Sequence, residues 1–215
     1  NPQSNWIRNY INSMNDSLNA PNYADPVNGY ARYLDADSWV DHHLLNVLTL
    51  NADALRLSTY FFKPREGKVE FGPSWDFDRS MESTDSRDDN PSTWAGGTNY
   101  FTYPWWNRLF TDENFWQRYI DRYFELRDGA FSTANVHAII DQMARTLDES
   151  QARNFRRWSD QPRFGSYQGE VNHLKSWLAT RLSWMDGQFA PRPAANRAAG
   201  TYPAGTTLSL NASLR

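Results

Sequence analysis

The sequence predicts a mainly α protein with one small antiparallel β-hairpin, a fold of the α+β class. Apolar residues recur at three- and four-residue spacing in several separate segments, which is typical of amphipathic helices. One short stretch instead combines aromatic and β-branched residues with a turn, which is typical of a hairpin. Hydrophobic residues make up 40% of the 215 residues and aromatic residues 15%, so the side chains suffice for a buried core.

The first two helices are predicted from apolar periodicity and from capping residues. Residues 6–18 carry Trp, Ile, Met and Leu at helical spacing, and Pro21 follows them as a helix stop. A second helix is predicted to begin near Asp35 or Asp37, because an aspartate side chain caps the free N–H groups of a first turn. The apolar stripe of this helix continues to Leu50.

The hairpin is predicted to follow the second helix. Residues 58–63 (STYFFK) and 68–72 (KVEFG) are its predicted strands, and residues 64–67 (PREG) are its turn. Residues 81–97 are rich in Ser, Thr, Asp, Asn and Gly, which predicts a long loop. Because loops of that length are uncommon in compact domains, we expect this loop to be functional or mobile.

The rest of the domain is predicted to be helical. Four further helices are expected, at residues 104–110, 113–127, 132–158 and 166–189. Gly129 interrupts the periodic pattern after the second of them and is expected to stop it.

The composition changes after residue 190 to Ala, Pro, Gly, Thr and Asn. We therefore predict one domain at residues 1–190, followed at residues 191–215 by a linker and the start of a truncated β-rich module. A faint strand pattern at residues 207–210 resembles the opening strand of the small β-sandwich modules that often follow catalytic domains in exported bacterial proteins. The first residues lack the regions of a signal peptide, so any export signal is expected upstream.

Composition argues against several classes of function. The net charge is -3, with 22 Lys and Arg against 25 Asp and Glu, so we expect no nucleic-acid partner. The absence of Cys excludes disulfides and thiolate chemistry. No apolar run approaches the roughly 20 residues of a transmembrane helix. His42 and His43 are expected to pack or cap rather than bind a metal, because the chain has only 4 His.

Acidic residues flank the predicted hairpin. Asp53 lies five positions before its first strand, and Asp76 and Asp78 lie four and six positions past Gly72. Since neighbouring strands lie only ~5 Å apart, Asp53 and Asp76 are expected to converge at one end of the hairpin. Two convergent carboxylates suit a divalent cation and a general base, the pair that phosphoryl transfer requires. On the pattern alone, ordinary turn capping explains these acids equally well.

The order of these residues also matches parts of a protein-kinase active centre. Protein kinases have a catalytic-loop aspartate, a metal ligand five residues later and, after a hairpin, the aspartate of an Asp-Phe-Gly motif. Here Ser58 follows Asp53 by five residues, and Asp76-Phe77-Asp78 follows the hairpin.

A long run, YLDADSWVDHHLLNVLTLNADALRLSTYFFKPREGKVEFGPSWDFDRS, occupies residues 33–80. It contains an aspartate-rich helix start, then Asn-x-Asp at residues 51–53, Ser-Thr-Tyr at residues 58–60 and Gly-Pro-x-Trp-Asp-Phe-Asp at residues 72–78. This run closely resembles the CotH (spore coat protein H) kinase family, and the downstream helices also look like that family.

The resemblance implies a fold, an activity and a location. The fold would be the C-terminal lobe of an atypical protein-kinase-like fold. The activity would be transfer of the ATP γ-phosphate, with Mg²⁺ or Mn²⁺, to serine or threonine of a protein substrate rich in those residues. The protein would be secreted or attached to the surface of a bacterial cell.

The same resemblance implies roles for residues at matching positions. Asp53 would be the catalytic aspartate, and Asn51 would brace the catalytic turn. Arg56 would contact a phosphate or an acidic neighbour, and a salt bridge within the lobe is the structural alternative.

The cofactor side of the site is implied in the same way. Asp76 would be a metal ligand and Asp78 a second one, with Ser58 beside them in the ATP site. Ser58 departs from the Asn that general kinases carry, so Asp78 would have to compensate. Trp75 and Phe77 are expected to pack in the core rather than to stack on a nucleotide.

Other readings of the sequence remain open. No Gly-rich phosphate loop and no lysine-bearing strand precede Asp53, so the nucleotide-binding lobe is expected to be absent or incomplete and the fragment weakly active or inactive. A secreted carbohydrate-active enzyme would use Asp53 and Asp76 as acid and base without a metal. A pseudokinase or adhesin would use the loop at residues 81–97 as its contact surface.

Overall fold

The computed structural model describes residues 1–83, 86–94, 99–160, 162–190 and 193–211. Helices dominate these residues, and the strands Phe61–Phe62 and Glu70–Phe71 pair antiparallel, so the predicted mainly α fold with a small antiparallel hairpin is confirmed. The kinase-like lobe stays a prediction. In chain order the elements are α1 (Pro2–Asn19), a 3₁₀ turn (Tyr30–Arg32), α2 (Ala36–Thr49), β1 (Phe61–Phe62), β2 (Glu70–Phe71), α3 (Trp106–Leu109), α4 (Glu113–Arg127), α5 (Thr133–Arg157), α6 (Tyr167–Asp186), β3 (Ala194–Ala195) and β4 (Leu210–Asn211).

The chain divides into two compact units, Asn1–Arg122 and Tyr123–Arg215, with the boundary inside α4. The predicted domain limits, residues 1–190 and 191–215, and the appended β-rich module stay predictions. In the second unit, β3 pairs antiparallel with β4, and β4 overlaps the faint strand predicted at residues 207–210.

Helix α2 lies at the centre of the first unit. Asp35 caps it, as one of the two predicted caps, by accepting a hydrogen bond from the Ser38 N–H at 2.9 Å. The Trp39 indole N–H donates to the Val69 carbonyl at 3.0 Å and so ties α2 to the chain just before β2. The apolar residues along α2 are buried: Trp39, Val40, Leu44, Val47 and Leu48. This packing fixes the hairpin against the helix that leads into Asp53.

The hairpin is shorter than predicted. Phe61 pairs with Phe71 and Phe62 with Glu70, and the Gly72 N–H adds one bond to the Tyr60 carbonyl at 3.0 Å. Ser58 lies outside the ladder because its φ of 52° is left-handed, whereas a strand residue needs an extended backbone. The predicted strand at residues 58–63 was therefore too long at its start.

The second unit is held by contacts at the end of α6. Asp186 accepts two hydrogen bonds from the Arg127 guanidinium, both at 2.9 Å, and one from the Tyr123 hydroxyl at 2.8 Å. A bidentate arginine–carboxylate pair is among the stronger polar contacts in proteins. Along the described parts of the chain, no helix combines the length and the apolar character that crossing a bilayer requires.

Candidate active site

Asp53 lies in a tight turn that directly follows α2. The Asp53 N–H donates to the side-chain oxygen of Asn51 at 3.2 Å, and the Asp53 carbonyl accepts from the Leu57 N–H at 3.0 Å. The adjacent Ala52 N–H donates to the Arg79 carbonyl at 2.9 Å. Hydrogen bonds of the backbone on both sides of Asp53 therefore fix the position of its Cα atom, from which the carboxylate projects.

Asn51 connects this turn to the buried interior and is only 3% exposed. Its amide N–H donates to the Asn46 side-chain oxygen at 3.1 Å. Its backbone carbonyl accepts from the Tyr100 hydroxyl at 2.7 Å. The bracing geometry expected of Asn51 is therefore present, while its part in catalysis stays a prediction.

Two buried histidines support the same region. The Tyr100 carbonyl can only accept, so His43 donates to it through Nε2–H at 3.0 Å and accepts from the Tyr119 hydroxyl through Nδ1 at 2.9 Å. Burial lowers the pKa of His43 to about 3 and that of His42 to about 4. The His42 ring stacks on Phe71 with centroids 4.5 Å apart. Both histidines pack in the core, as predicted.

Three arginines surround the Asp53 carboxylate. The nearest nitrogen of Arg87 is 3.3 Å from an Asp53 oxygen, that of Arg79 is 3.6 Å and that of Arg56 is 3.8 Å. The predicted contact of Arg56 with an acidic neighbour thus has Asp53 as its partner. Arg79 and Arg87 were not foreseen, because no spacing in the sequence links them to Asp53.

The Asp76 carboxylate has a different partner. It accepts a hydrogen bond from the Ser58 hydroxyl at 2.7 Å. Asp78 is exposed, and its carboxylate makes no hydrogen bond or ion pair with any residue that the structure describes. Both acids therefore present oxygen atoms to solvent, where a ligand can reach them.

The segments that carry Asp53 and Asp76 run side by side. The Met81 N–H donates to the Thr49 carbonyl at 3.1 Å, in addition to the bond between Ala52 and Arg79. Each acid also contacts the other's segment, since Asp53 pairs with Arg79 and Asp76 accepts from Ser58. The two acids thus lie on neighbouring segments, while the expected convergence of their carboxylates and their catalytic and metal-binding roles stay predictions.

The backbone of this region is strained at several positions. Non-glycine residues rarely adopt positive φ, and each such residue costs of order 1 kcal/mol or more. The first unit holds six of them between residues 50 and 82: Leu50, Leu55, Ser58, Asp76, Met81 and Glu82. Strain of this kind concentrates at functional sites, where the surrounding structure holds it in place.

The expectation that Trp75 packs in the core is wrong. Trp75 is 48% exposed, and its ring lies 5.7 Å from that of Tyr60, which is 52% exposed. A hairpin with two-residue strands offers too little surface to cover this indole. Phe77 is half-buried.

Asp76, Asp78 and Ser58 carry oxygen atoms, which are the kind of ligand that a hard divalent cation takes. Among the residues described, no three His, Asp or Glu side chains come together as a complete metal-ligand group. Mg²⁺ is usually held by one or two carboxylates together with phosphate oxygens of a substrate and water. Asp76 and Asp78 alone do not complete a cation site, and their role as metal ligands stays a prediction.

The structure describes part of the predicted loop at residues 81–97. Residues 84, 85 and 95–97 of the loop lie outside the described residues. The fully buried Asp88 accepts from the Ser83 N–H and hydroxyl, both at 2.9 Å. This loop supplies Arg87 to the Asp53 side of the site.

The structure is mainly α, and the Asp53 turn and the segment that carries Asp76 lie beside its short hairpin. A family model described as CotH kinase protein matches residues 1–185. The chain therefore belongs to the CotH kinase family, as its sequence predicted. No curated protein and no solved structure matches the chain.

Proposed function

We propose that this protein is a kinase that transfers the ATP γ-phosphate to serine or threonine hydroxyls of a protein substrate. Family membership supports a kinase. The observation that carries the assignment is the placement of Asp53 and Asp76 on neighbouring segments that contact each other through Arg79 and Ser58. Phosphoryl transfer requires the base and the metal ligand to lie on neighbouring parts of the site, so that the substrate hydroxyl can reach the γ-phosphate of a metal-bound triphosphate.

In this proposal Asp53 positions the acceptor. Its carboxylate accepts the proton of the substrate hydroxyl, whose oxygen forms a bond to the γ-phosphorus while the bond between that phosphorus and the β,γ-bridging oxygen breaks and ADP leaves. Asn51 and the turn that follows α2 hold the carboxylate in place for that step.

In the proposal, Asp76 and Asp78 are the ligands of the metal cofactor. Their carboxylates would hold Mg²⁺ or Mn²⁺, and the Ser58 hydroxyl orients Asp76. When bound, the cation neutralises charge on the triphosphate. The proposed substrates are Ser- or Thr-rich proteins that are secreted or lie on the bacterial cell surface, which is also the proposed location of this protein.

The test measures labelled phosphate incorporated by the full natural protein into a Ser-rich protein from γ-labelled ATP. Asp53→Ala and Asp76→Ala are each expected to abolish incorporation while circular dichroism stays unchanged. The control is Asp37→Ala, which removes an exposed acid that pairs with Arg118 on the surface. Retention of wild-type transfer by both site variants would show the proposal to be wrong.

A second arm of the test addresses the metal. Transfer is expected to stop when EDTA removes divalent cations and to return when Mg²⁺ or Mn²⁺ is added. A hydrolytic reaction on a carbohydrate that persists in EDTA would instead identify the two carboxylates as those of a glycosidase.

A further inference from the structure

An open pocket of about 600 Å³ lies beside Asp53. Three of its lining side chains are the arginines that face the Asp53 carboxylate. The lining residues are Asp53, Arg56, Leu57, Arg79, Ser86 and Arg87. A pocket of this size is large enough for an amino-acid side chain with a phosphate or carboxylate group.

The lining of this pocket is rich in arginine. The whole sequence carries a net charge of -3, whereas the lining residues that the structure describes include three arginines and one aspartate. Guanidinium groups bind carboxylates and phosphates through paired N–H donors, and clusters of arginine are a common way to recognise phosphorylated or acidic segments.

The position of the pocket separates it from the proposed metal side. Its lining includes Asp53 but not Ser58, Asp76 or Asp78. In the proposed reaction the triphosphate lies with Asp76, so the pocket lies where the protein acceptor approaches Asp53. An anion in the pocket would therefore belong to the acceptor.

The arginines differ in how firmly they are held. Arg56 is 60% exposed at its side chain and lies 3.8 Å from Asp53, whereas Arg87 is 31% exposed and also donates to the Ala52 carbonyl at 3.3 Å. The exposed Arg56 can turn toward an incoming anion while Arg87 keeps its bond to the Ala52 carbonyl.

We infer that the pocket formed by Arg56, Arg79 and Arg87 binds an anionic side chain of the protein acceptor, a phosphoserine above all, next to the hydroxyl that receives phosphate. This inference rests on the proposed function for the identity of the ligand. It implies that the protein prefers acceptors that already carry a phosphate near the next site, so that phosphorylation of a Ser-rich segment is progressive.

Binding without nucleotide tests the inference. The probes are a Gly-Ser peptide with one phosphoserine, the same peptide unphosphorylated, and inorganic phosphate, each titrated calorimetrically into the full natural protein. The phosphopeptide is expected to bind roughly ten-fold or more tightly than either other probe, as expected for charge-assisted hydrogen bonds. Equal binding of both peptides, or of phosphopeptide and inorganic phosphate, would overturn the inference.

Substitutions of the pocket arginines test whether the phosphopeptide binds in this pocket. Arg56→Gln and Arg87→Gln are each expected to weaken phosphopeptide binding roughly ten-fold. The control, Arg153→Gln, removes the same charge from an exposed pair with Glu149 on α5 and should leave binding unchanged. An equal loss in the control would show a general charge effect and overturn the site. If the pocket variants fail to fold, the comparison of the three probes on the wild-type protein still decides.

The variant Asp53→Asn is expected to change phosphopeptide binding in the opposite direction from the arginine variants. The Asp53 carboxylate competes with an incoming anion for the same three arginines, so its neutralisation should tighten phosphopeptide binding several-fold while slowing transfer roughly 10²- to 10⁴-fold. Unchanged or weaker phosphopeptide binding in this variant would contradict the pocket. Because no ATP is present, failure of these titrations is distinct from failure of the transfer assay.

Discussion

The turn that carries Asp53 and the segment that carries Asp76 differ in how they are held. Asn51, Tyr100 and His43 form a buried hydrogen-bonded chain beneath the Asp53 turn. The Asp76 carboxylate accepts a hydrogen bond from the half-buried Ser58, in an exposed stretch without helix or strand. Buried hydrogen bonds thus hold the turn of the proposed base, whereas the segment of the proposed metal ligand is held by fewer and more exposed contacts.

The largest expected effect is on the rate of phosphate transfer, and its dependence on Mg²⁺ distinguishes the proposed base, Asp53, from the proposed metal ligand, Asp76. Asp53→Asn and Asp76→Asn should each lower the rate of phosphate transfer roughly 10²- to 10⁴-fold. Because Asp76→Asn weakens a metal ligand, raising the Mg²⁺ concentration should restore part of its rate but none of the rate of Asp53→Asn. Initial rates over a Mg²⁺ series measure this. Rescue of the Asp53 variant by Mg²⁺ would reverse the assignment of the two sides.

Lowering the pH should reduce the stability of the folded protein through the two buried histidines, His42 and His43. The ordinary histidine pKa is 6.5, and the folded values are about 4 for His42 and about 3 for His43. Below pH 6.5 the unfolded chain therefore binds protons that the folded chain does not, so the free energy of unfolding falls as pH drops from about 6.5 to 4. The slope is up to ~1.4 kcal/mol per pH unit for each histidine.

Urea unfolding at pH 7 and pH 4.5 measures this slope. His43→Gln keeps a side-chain donor for the Tyr100 carbonyl but removes the titrating ring, so its stability should fall less steeply with pH than that of the wild type. An identical slope in the two proteins would show that His43 titrates normally in the folded state.

A smaller effect is expected from Tyr100, which braces the Asp53 turn. Tyr100→Phe leaves the buried Asn51 carbonyl without this donor and should cost about 1–3 kcal/mol of stability. Transfer should slow with little change in the KM for ATP, since the Asp76 side is untouched. Tyr60→Phe makes the same change at an exposed ring and is the control. Equal effects of the two variants would argue against a braced turn.

The smallest effect is expected on the Asp76 side. Ser58→Ala removes one exposed hydrogen bond, so stability should change by about 0.5 kcal/mol or less and transfer by a few-fold. Ser4→Ala, on the exposed start of α1, is the control. If Ser58→Ala destabilised the protein more than Tyr100→Phe, the Asp76 segment would be the more firmly held one.

Local features of the fold were predictable from the sequence. Periodicity and neighbouring residues gave α4 its observed bounds, Glu113–Arg127, and identified the Asp35 cap of α2. Periodicity is a property of consecutive residues, so a single sequence suffices to detect it. That Asp53 and Asp76 lie on neighbouring segments was also predictable, because they flank a short hairpin in the sequence.

Contacts between distant parts of the chain were not predictable. Arg79 and Arg87 reach Asp53 across 26 and 34 residues, and Tyr100 reaches Asn51 across 49. No periodic pattern connects such pairs, since their proximity depends on how the loop folds back. The exposure of Trp75 escaped prediction for a related reason, because residue type alone does not reveal how much surface a hairpin provides.

The left-handed residues around the site bear on protein engineering. Directed evolution for heat resistance tends to remove unfavourable local conformations, and Leu55, Met81 and Glu82 are natural targets because each has positive φ. A glycine at such a position relaxes the backbone but also gives the unfolded chain more freedom. Thermally improved variants selected at these positions are therefore expected to lose turnover, a trade-off that selection for activity alone would avoid.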